Sequence, residues 1–203
     1  MKIKICGITT IADTEYLNQY QIDFAGMVLF FPKSKRNIDI PTAKTLISHL
    51  NQSIKNVAVV VEPTIKQMEL IAEAGFDYIQ IHGRLSEDLI LHCPLPILKA
   101  FNVHDMEQYE QYRPYQQIAG YVFDAAEPGS GTTFDWNMLK ALPRDGKLRL
   151  LAGGLNAGNV TKAIAAVSPD GVDISSGVEY ADKPCKDPEK LHAFIHAVRS
   201  SLN

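Results

Sequence analysis

KIKICGIT, residues 2–9, is the stretch on which the fold turns. As a strand, KIKIC (2–6) sends Ile3 and Ile5 to one side and Lys2, Lys4 and Cys6 to the other. One side suits packing. The other carries two ammonium groups and a thiol. On an open sheet that polar side faces water. In a closed barrel it faces inward, and a lysine buried there needs a charged partner.

Seven further β-rich runs follow: FAGMVLF (24–30), NVAVVV (56–61), YIQIH (78–82), PILKAF (96–101), GYVFDA (120–125), LRLLAG (148–153) and GVDISS (171–176). Helical patterns lie between them. In TIKQMELIAEAG (64–75), Ile65, Met68, Ile71 and Ala72 share a face, and Gly75 is placed to end the helix. NAGNVTKAIAAV (156–167) is a second pattern, and 86–93 leaves room for a short one. In DPEKLHAFIHAVRSSL (187–202), Asp187 caps, Pro188 takes the first helical position, and Leu191, Phe194, Ile195 and Val198 form the buried stripe. Strand–helix alternation implies a parallel sheet with helices outside it. Eight repeats predict a single-domain α/β chain over 1–203, a (β/α)8 barrel with several brief crossovers.

The 203 residues are 46% hydrophobic and 21% charged, an ordinary globular composition. A net charge of -3 supplies no pull toward nucleic acid or an anionic membrane. No apolar run reaches the roughly 18 residues of a membrane-spanning helix. Alternating lysines near the start do not match a signal peptide. Cys6, Cys93 and Cys185 are an odd number without a close pair, so neither a disulfide framework nor a zinc site is expected. The expectation is a cytoplasmic protein with reduced thiols and no bound metal.

In such a barrel the active site lies at the C-terminal strand ends, and polar residues gather there: Cys6; Gln80, His82 and Gly83; Asp124; Gly153 and Gly154; Asp173, Ser175, Ser176 and Gly177. Cys6 reads as a nucleophile, a general base or a small packed residue. Asp124, ending an apolar strand, is a proton-transfer group or a loop carboxylate. The glycines of LLAGGLNAGNV and the DISSGVE turn are tight loops or a phosphate cradle. EPGSGTTFDW (127–136), with Gly129, Ser130 and Gly131, is a surface loop or a mobile lid. Arg36, in the FPKSKR loop with Lys33 and Lys35, is a solvated charge or a bidentate grip for a carboxylate. His82 lines the mouth; the other five histidines fall on helices or linkers. If the polar side of KIKIC faces inward, Asp173 on the adjoining last strand is the partner Lys4 requires. The alternative puts Ile3 and Ile5 inside and Lys4 in water.

KIKICGIT, FPKSKR, IQIHG, GSGTTFDW, LAGGLNAGNV and VDISSGVE, in this order and spacing, resemble the phosphoribosylanthranilate isomerase family of tryptophan biosynthesis. The likeness runs from residue 2 to about 195. It implies the (β/α)8 fold and an Amadori rearrangement of an aminoaldose to an aminoketose, without cofactor or metal. It implies Asp124 as general acid, Cys6 as general base and Arg36 on the anthranilate carboxylate. Gly153–Gly154 and Ser175–Ser176–Gly177 would hold the phosphate, with His82 and Asp173 among the substrate-binding residues. The partner implied is a small phosphorylated substrate, with the protein a monomer or homodimer. DKPCKD (182–187) departs from the family's usual glycine before Lys-Asp. The related histidine-pathway isomerase has a carboxylate at the ends of strands one and five, where this chain has cysteine and Lys-Ala-Phe. A phosphate-binding barrel without catalysis would not need both proton-transfer residues.

Overall fold

β1 (Lys2–Cys6) is hydrogen-bonded on both edges, to β2 (Phe24–Leu29) and to β8 (Gly171–Ile174). That double pairing closes the sheet. The computed structural model describes residues 1–124, 136–140 and 142–201. Between β2 and β8 the ring continues through β3 (Lys55–Val61), β4 (Tyr78–His82), β5 (Ile97–Asn102), β6 (Ile118–Asp124) and β7 (Leu148–Leu151), every pairing parallel. A two-residue strand, Asn37–Ile38, adds to the end of β2.

Each barrel strand is followed by a helix, in order α1 (Ile11–Tyr20), α2 (Ile40–His49), α3 (Ile65–Glu73), α4 (Glu87–His92), α5 (Tyr109–Tyr112), α6 (Asn137–Lys140), α7 (Val160–Val167) and α8 (Pro188–Ser200). The crossovers are brief where the chain length demands it: α5 and α6 have four residues each. In α3, Met68 and Ile71 are buried, and Gly75 follows with φ +93. In α8, the Asp187 carboxylate accepts from the N–H groups of Glu189 and Lys190, while Leu191, Phe194, Ile195 and Val198 are buried. Each such side chain contributes about 1.5–3 kcal/mol. The pattern at 156–167 begins differently from its reading. Asn156 N–H donates to Asn159 Oδ1 at 2.8 Å and Gly158 N–H to Asn156 Oδ1 at 2.9 Å, so these side chains make a turn and the helix starts at Val160. Helix α1 shows why it escaped the pattern: it buries Asp13 and Thr14 beside Leu17.

Two apolar regions result. One lies between strands and helices and contains Ile3, Ile5, Ala25, Ile79 and Val172. The other fills the barrel and contains Phe24, Val57, Leu98, Val122 and Leu150. Ile3 and Ile5 therefore face the helices, and Lys4 and Cys6 face inward. Lys4 is fully buried. It stands in register with Asp173 on β8, and its ammonium lies 3.0 Å from each carboxylate oxygen. Burial works to lower the pKa of this lysine; Asp173, then Cys6, overturn that and leave it raised.

Candidate active site

The inward phase set by Lys4 and Cys6 holds around the ring. Cys6, Val61, His82, Asn102 and Asp124 are each the last residue of β1, β3, β4, β5 and β6, and all five line one cavity of about 600 Å³ at the barrel's C-terminal mouth. The eleven strand-end residues named from the sequence, and Arg36, all line this cavity. Of the suggested lid, Gly129, Ser130 and Gly131 lie outside the described residues.

Arg36 reaches the mouth because its loop is tightly turned. Asn37 Oδ1 accepts from Phe31 N–H at 2.7 Å, and Ser34 Oγ accepts from Arg36 N–H at 3.2 Å. Its side chain lies across Gly7, where a Cβ would sit 2.4 Å from Arg36 Cδ; Gly7 also has φ +75, a backbone that favours glycine. The guanidinium is not left for solvent. Its Nε and Nη2 donate to Glu179 at 2.5 and 2.9 Å, a bidentate contact that leaves the Nη1–Nη2 edge as a second fork.

Glu179 follows the short 3₁₀ turn Ser176–Val178 and was not among the expected site residues. It is buried, and it also accepts from Lys186 Nζ at 3.0 Å, with Lys35 Nζ at 3.2 Å. Burial alone would raise its pKa, yet the cations, Arg36 first, hold its carboxylate at about 2. Its share of folding stability is thus complete above pH 4.5 or so, the ordinary glutamate value, and is lost as the pH falls from there through about 2. Lys186 shows the opposite balance: burial pulls its pKa down and the shared carboxylate does not restore it. One carboxylate serves more cations than it can satisfy.

The DKPCKD segment is ordered by this pair. Glu179 and Lys186 form an antiparallel bridge, Tyr180 N–H donates to Cys185 O at 3.1 Å, and Asp187 N–H to Val178 O at 2.9 Å. Buried Asp13 adds a tie. Its carboxylate accepts from Lys186 N–H at 2.8 Å and from Thr9 and Thr10 N–H at 3.0 Å each. Asp13 and Thr10 belong to a capping box, which is the sequence signal that would have placed Asp13. Glu179 and Lys186 gave no such signal, because both lie in irregular chain.

His82 is half-buried, with Gln80 Nε2 2.8 Å from its Nε2. Burial first, then Lys99 and Lys4, lower its pKa to about 3, so its imidazole is neutral at physiological pH. On the far rim Gly153 and Gly154 have φ +82 and +63, and Asn159 Nδ2 donates to Gly154 O at 2.9 Å, bracing the loop. Ser175, Ser176 and Gly177 continue that rim. A Cβ on Gly177 would meet Leu155 O at 2.2 Å, so the two loops touch backbone to backbone. Successive N–H groups in such turns suit an anion. Val28, Phe31 and Val59 supply an apolar wall of a kind that accepts an aromatic ring.

A family model described as N-(5'-phosphoribosyl)anthranilate isomerase matches residues 3–197. The N-(5'-phosphoribosyl)anthranilate isomerases of Thermoanaerobacter pseudethanolicus and Oceanobacillus iheyensis are each 38% identical to this chain. The alignments cover 98% of it, and 98% and 97% of those proteins. The crystal structure of the Thermotoga maritima enzyme superposes with a TM-score of 0.88 at 31% identity, over 98% of this chain and 99% of that one. Another isomerase structure, with reduced 1-(o-carboxyphenylamino)-1-deoxyribulose 5-phosphate bound, gives 0.84 at 30% identity, over 98% and 99% of the two chains. With the closed barrel and the cavity at its mouth, these likenesses place the chain in the N-(5'-phosphoribosyl)anthranilate isomerase family.

Proposed function

We propose that Cys6 and Asp124 divide the proton transfers of the isomerisation, with the whole chain acting as one barrel domain. Asp124 donates a proton to the furanose ring oxygen as the anthranilate nitrogen drives out the C1′–O bond, which leaves an open-chain Schiff base. The Cys6 thiolate then removes the C2′ proton, and the C–H electron pair becomes the C1′=C2′ bond of an enolamine. Loss of the 2′-hydroxyl proton and protonation at C1′ give the aminoketose. The observation that carries this reading is the presence of a thiol and a carboxylate, each closing its strand, on one cavity with a Gly/Ser rim.

The remaining roles follow from the surroundings. Arg36 holds the anthranilate carboxylate through its Nη1–Nη2 edge, because Glu179 occupies the other. Neutral His82 offers a hydrogen bond without adding charge. Asp173, fixed by Lys4, forms the floor below the substrate. The N–H groups of Gly153, Gly154, Ser175, Ser176 and Gly177 take the phosphate. No helix among the described residues is long and apolar enough to cross a membrane. A thiol base must stay reduced, which favours the cytoplasm. The assembly proposed is a monomer or a homodimer.

The direct test is the loss of anthranilate-ribose fluorescence on adding purified protein to N-(5'-phosphoribosyl)anthranilate; no loss above the uncatalysed rate would sink the reading. For the phosphate, Gly154→Asp places a like charge in the rim and is expected to raise KM by at least about tenfold. Inorganic phosphate should compete with substrate in the parent protein. An unchanged KM and no competition would move the phosphate elsewhere.

A further inference from the structure

The surroundings of Cys6 hold one buried cation that the roles above do not use. A Cβ on Gly26 would lie 3.0 Å from Lys4 Nζ and 3.1 Å from Cys6 Sγ, so ammonium and thiol sit together over that bare Cα. Lys4, however, is matched one to one by Asp173. Lys186 is not so matched. Its Nζ is buried, shares Glu179 Oε1 with Arg36 Nε, and otherwise has a long contact to Ser175 O at 3.5 Å. Ser175 in turn packs on Gly7, the neighbour of Cys6: a Cβ on Gly7 would lie 3.1 Å from Ser175 Oγ.

Lys186 is also fixed at both ends. Asp13 holds its N–H, and the same carboxylate holds the Thr9 and Thr10 N–H groups of the loop that leaves Cys6. Glu179 holds its ammonium and, through the antiparallel bridge, its backbone. A flexible surface lysine would blur its field over many rotamers; this one is held in a single place at low dielectric.

We propose that Lys186 is a positioning residue for the isomerisation, its immobilised ammonium stabilising the thiolate form of Cys6 so that the thiol can act as base. The proposal rests on the reading of Cys6 as base. The charged groups facing Cys6 are Lys4 on its own strand, Asp173 on β8, Asp124 on β6, Arg36 from the loop after β2, and Lys186; Asp13 is spent on backbone N–H groups, and His82 on β4 is neutral. Burial pushes the Cys6 thiol up, Lys4 and Lys186 pull it down, and Asp173 adds to the upward push. Lys4 is the stronger of the two but is balanced by Asp173. Lys186, Arg36 and Lys35 share the single charge of Glu179, so the excess of positive charge lies on the Lys186 side.

The test follows the alkylation of Cys6 by iodoacetamide against pH, peptide by peptide by mass spectrometry, alongside the pH profile of kcat/KM. Lys186→Met is expected to move the Cys6 alkylation midpoint up by about one pH unit or more. The limb of the rate profile that coincides with that midpoint in the parent should move with it, while KM changes little. Lys186→Arg, which keeps the charge, should restore both. If the methionine variant does not fold, Lys186→Gln keeps a donor to Glu179 and serves in its place. An unmoved alkylation midpoint in a folded variant overturns the role of Lys186 and leaves the base reading standing. A midpoint that moves while no limb of the rate profile follows overturns the base reading, and the part of Lys186 in turnover with it.

Discussion

Replacing Cys6 with alanine is expected to lower kcat by about 10²–10⁴-fold, the range for loss of a general base, with little change in KM. Substrate affinity comes from the carboxylate and phosphate contacts, and the thiol acts in the transition state. Cys6→Ser should fall nearly as far, because a hydroxyl is a far weaker base than a thiolate. Asp124→Asn keeps the shape of the mouth but cannot donate the proton, so it too should lose kcat rather than binding. The required form has Cys6 ionised and Asp124 protonated, which gives kcat/KM a bell-shaped pH dependence in the parent. Single turnovers with deuterium at C2′ locate the step. If Cys6→Ser turned over at the parent rate with the same isotope effect, the thiol would be a packing residue and the base would lie elsewhere.

Lys4→Met is expected to cost about 3–5 kcal/mol, the usual penalty for stripping one partner from a buried ion pair. For a chain of this size that is a fall in Tm of roughly 6–20 °C. The loss arises less from the missing attraction than from Asp173, left charged inside the barrel without its partner 3.0 Å away. Adding Asp173→Leu should therefore recover much of it, since apolar replacement of both members is often neutral or better. Denaturant titration of the four proteins in the cycle gives the coupling. Additive single effects would mean that the pair, though close, contributes no energy of its own.

The fold was legible because strand alternation is a local signal that repeats. Once KIKIC was placed with its lysine side inward, the partner of Lys4 followed from ring closure alone. Cys6, His82 and Asp124 were legible for the same reason: each closes a strand and faces inward by phase. Asn102 obeys that rule too, but PILKAF (96–101) ends the strand one residue early, and the observed strand closes on Asn102. Glu179 and Lys186 were not legible, and the capping box that marks Asp13 gives no hint that its carboxylate also holds Lys186. Their positions depend on chain turning back between Val178 and Asp187, and on a contact between residues 13 and 186. No periodicity encodes such a contact. The use of Arg36 was only half legible, since a basic loop beside a pocket suggests an anion site but does not disclose that an internal carboxylate already holds one edge.

Where β1 meets β8, the hydrogen-bonded Lys4 and Asp173 are 169 positions apart in the chain. Closing a loop of that length costs about 4.5 kcal/mol of chain entropy beyond a constant, by the logarithmic law for flexible loops. A nascent chain emerging from the ribosome cannot meet that cost early. Its first strand must wait, with two lysines and a thiol on one side and isoleucines on the other, until β8 has been made. Contacts so distant in sequence slow the search for the native state and prolong the exposure of apolar strand edges. An amino-terminal fragment that stops before β8, or a carboxy-terminal one that starts after β1, lacks one side of the junction, so the barrel cannot close in either.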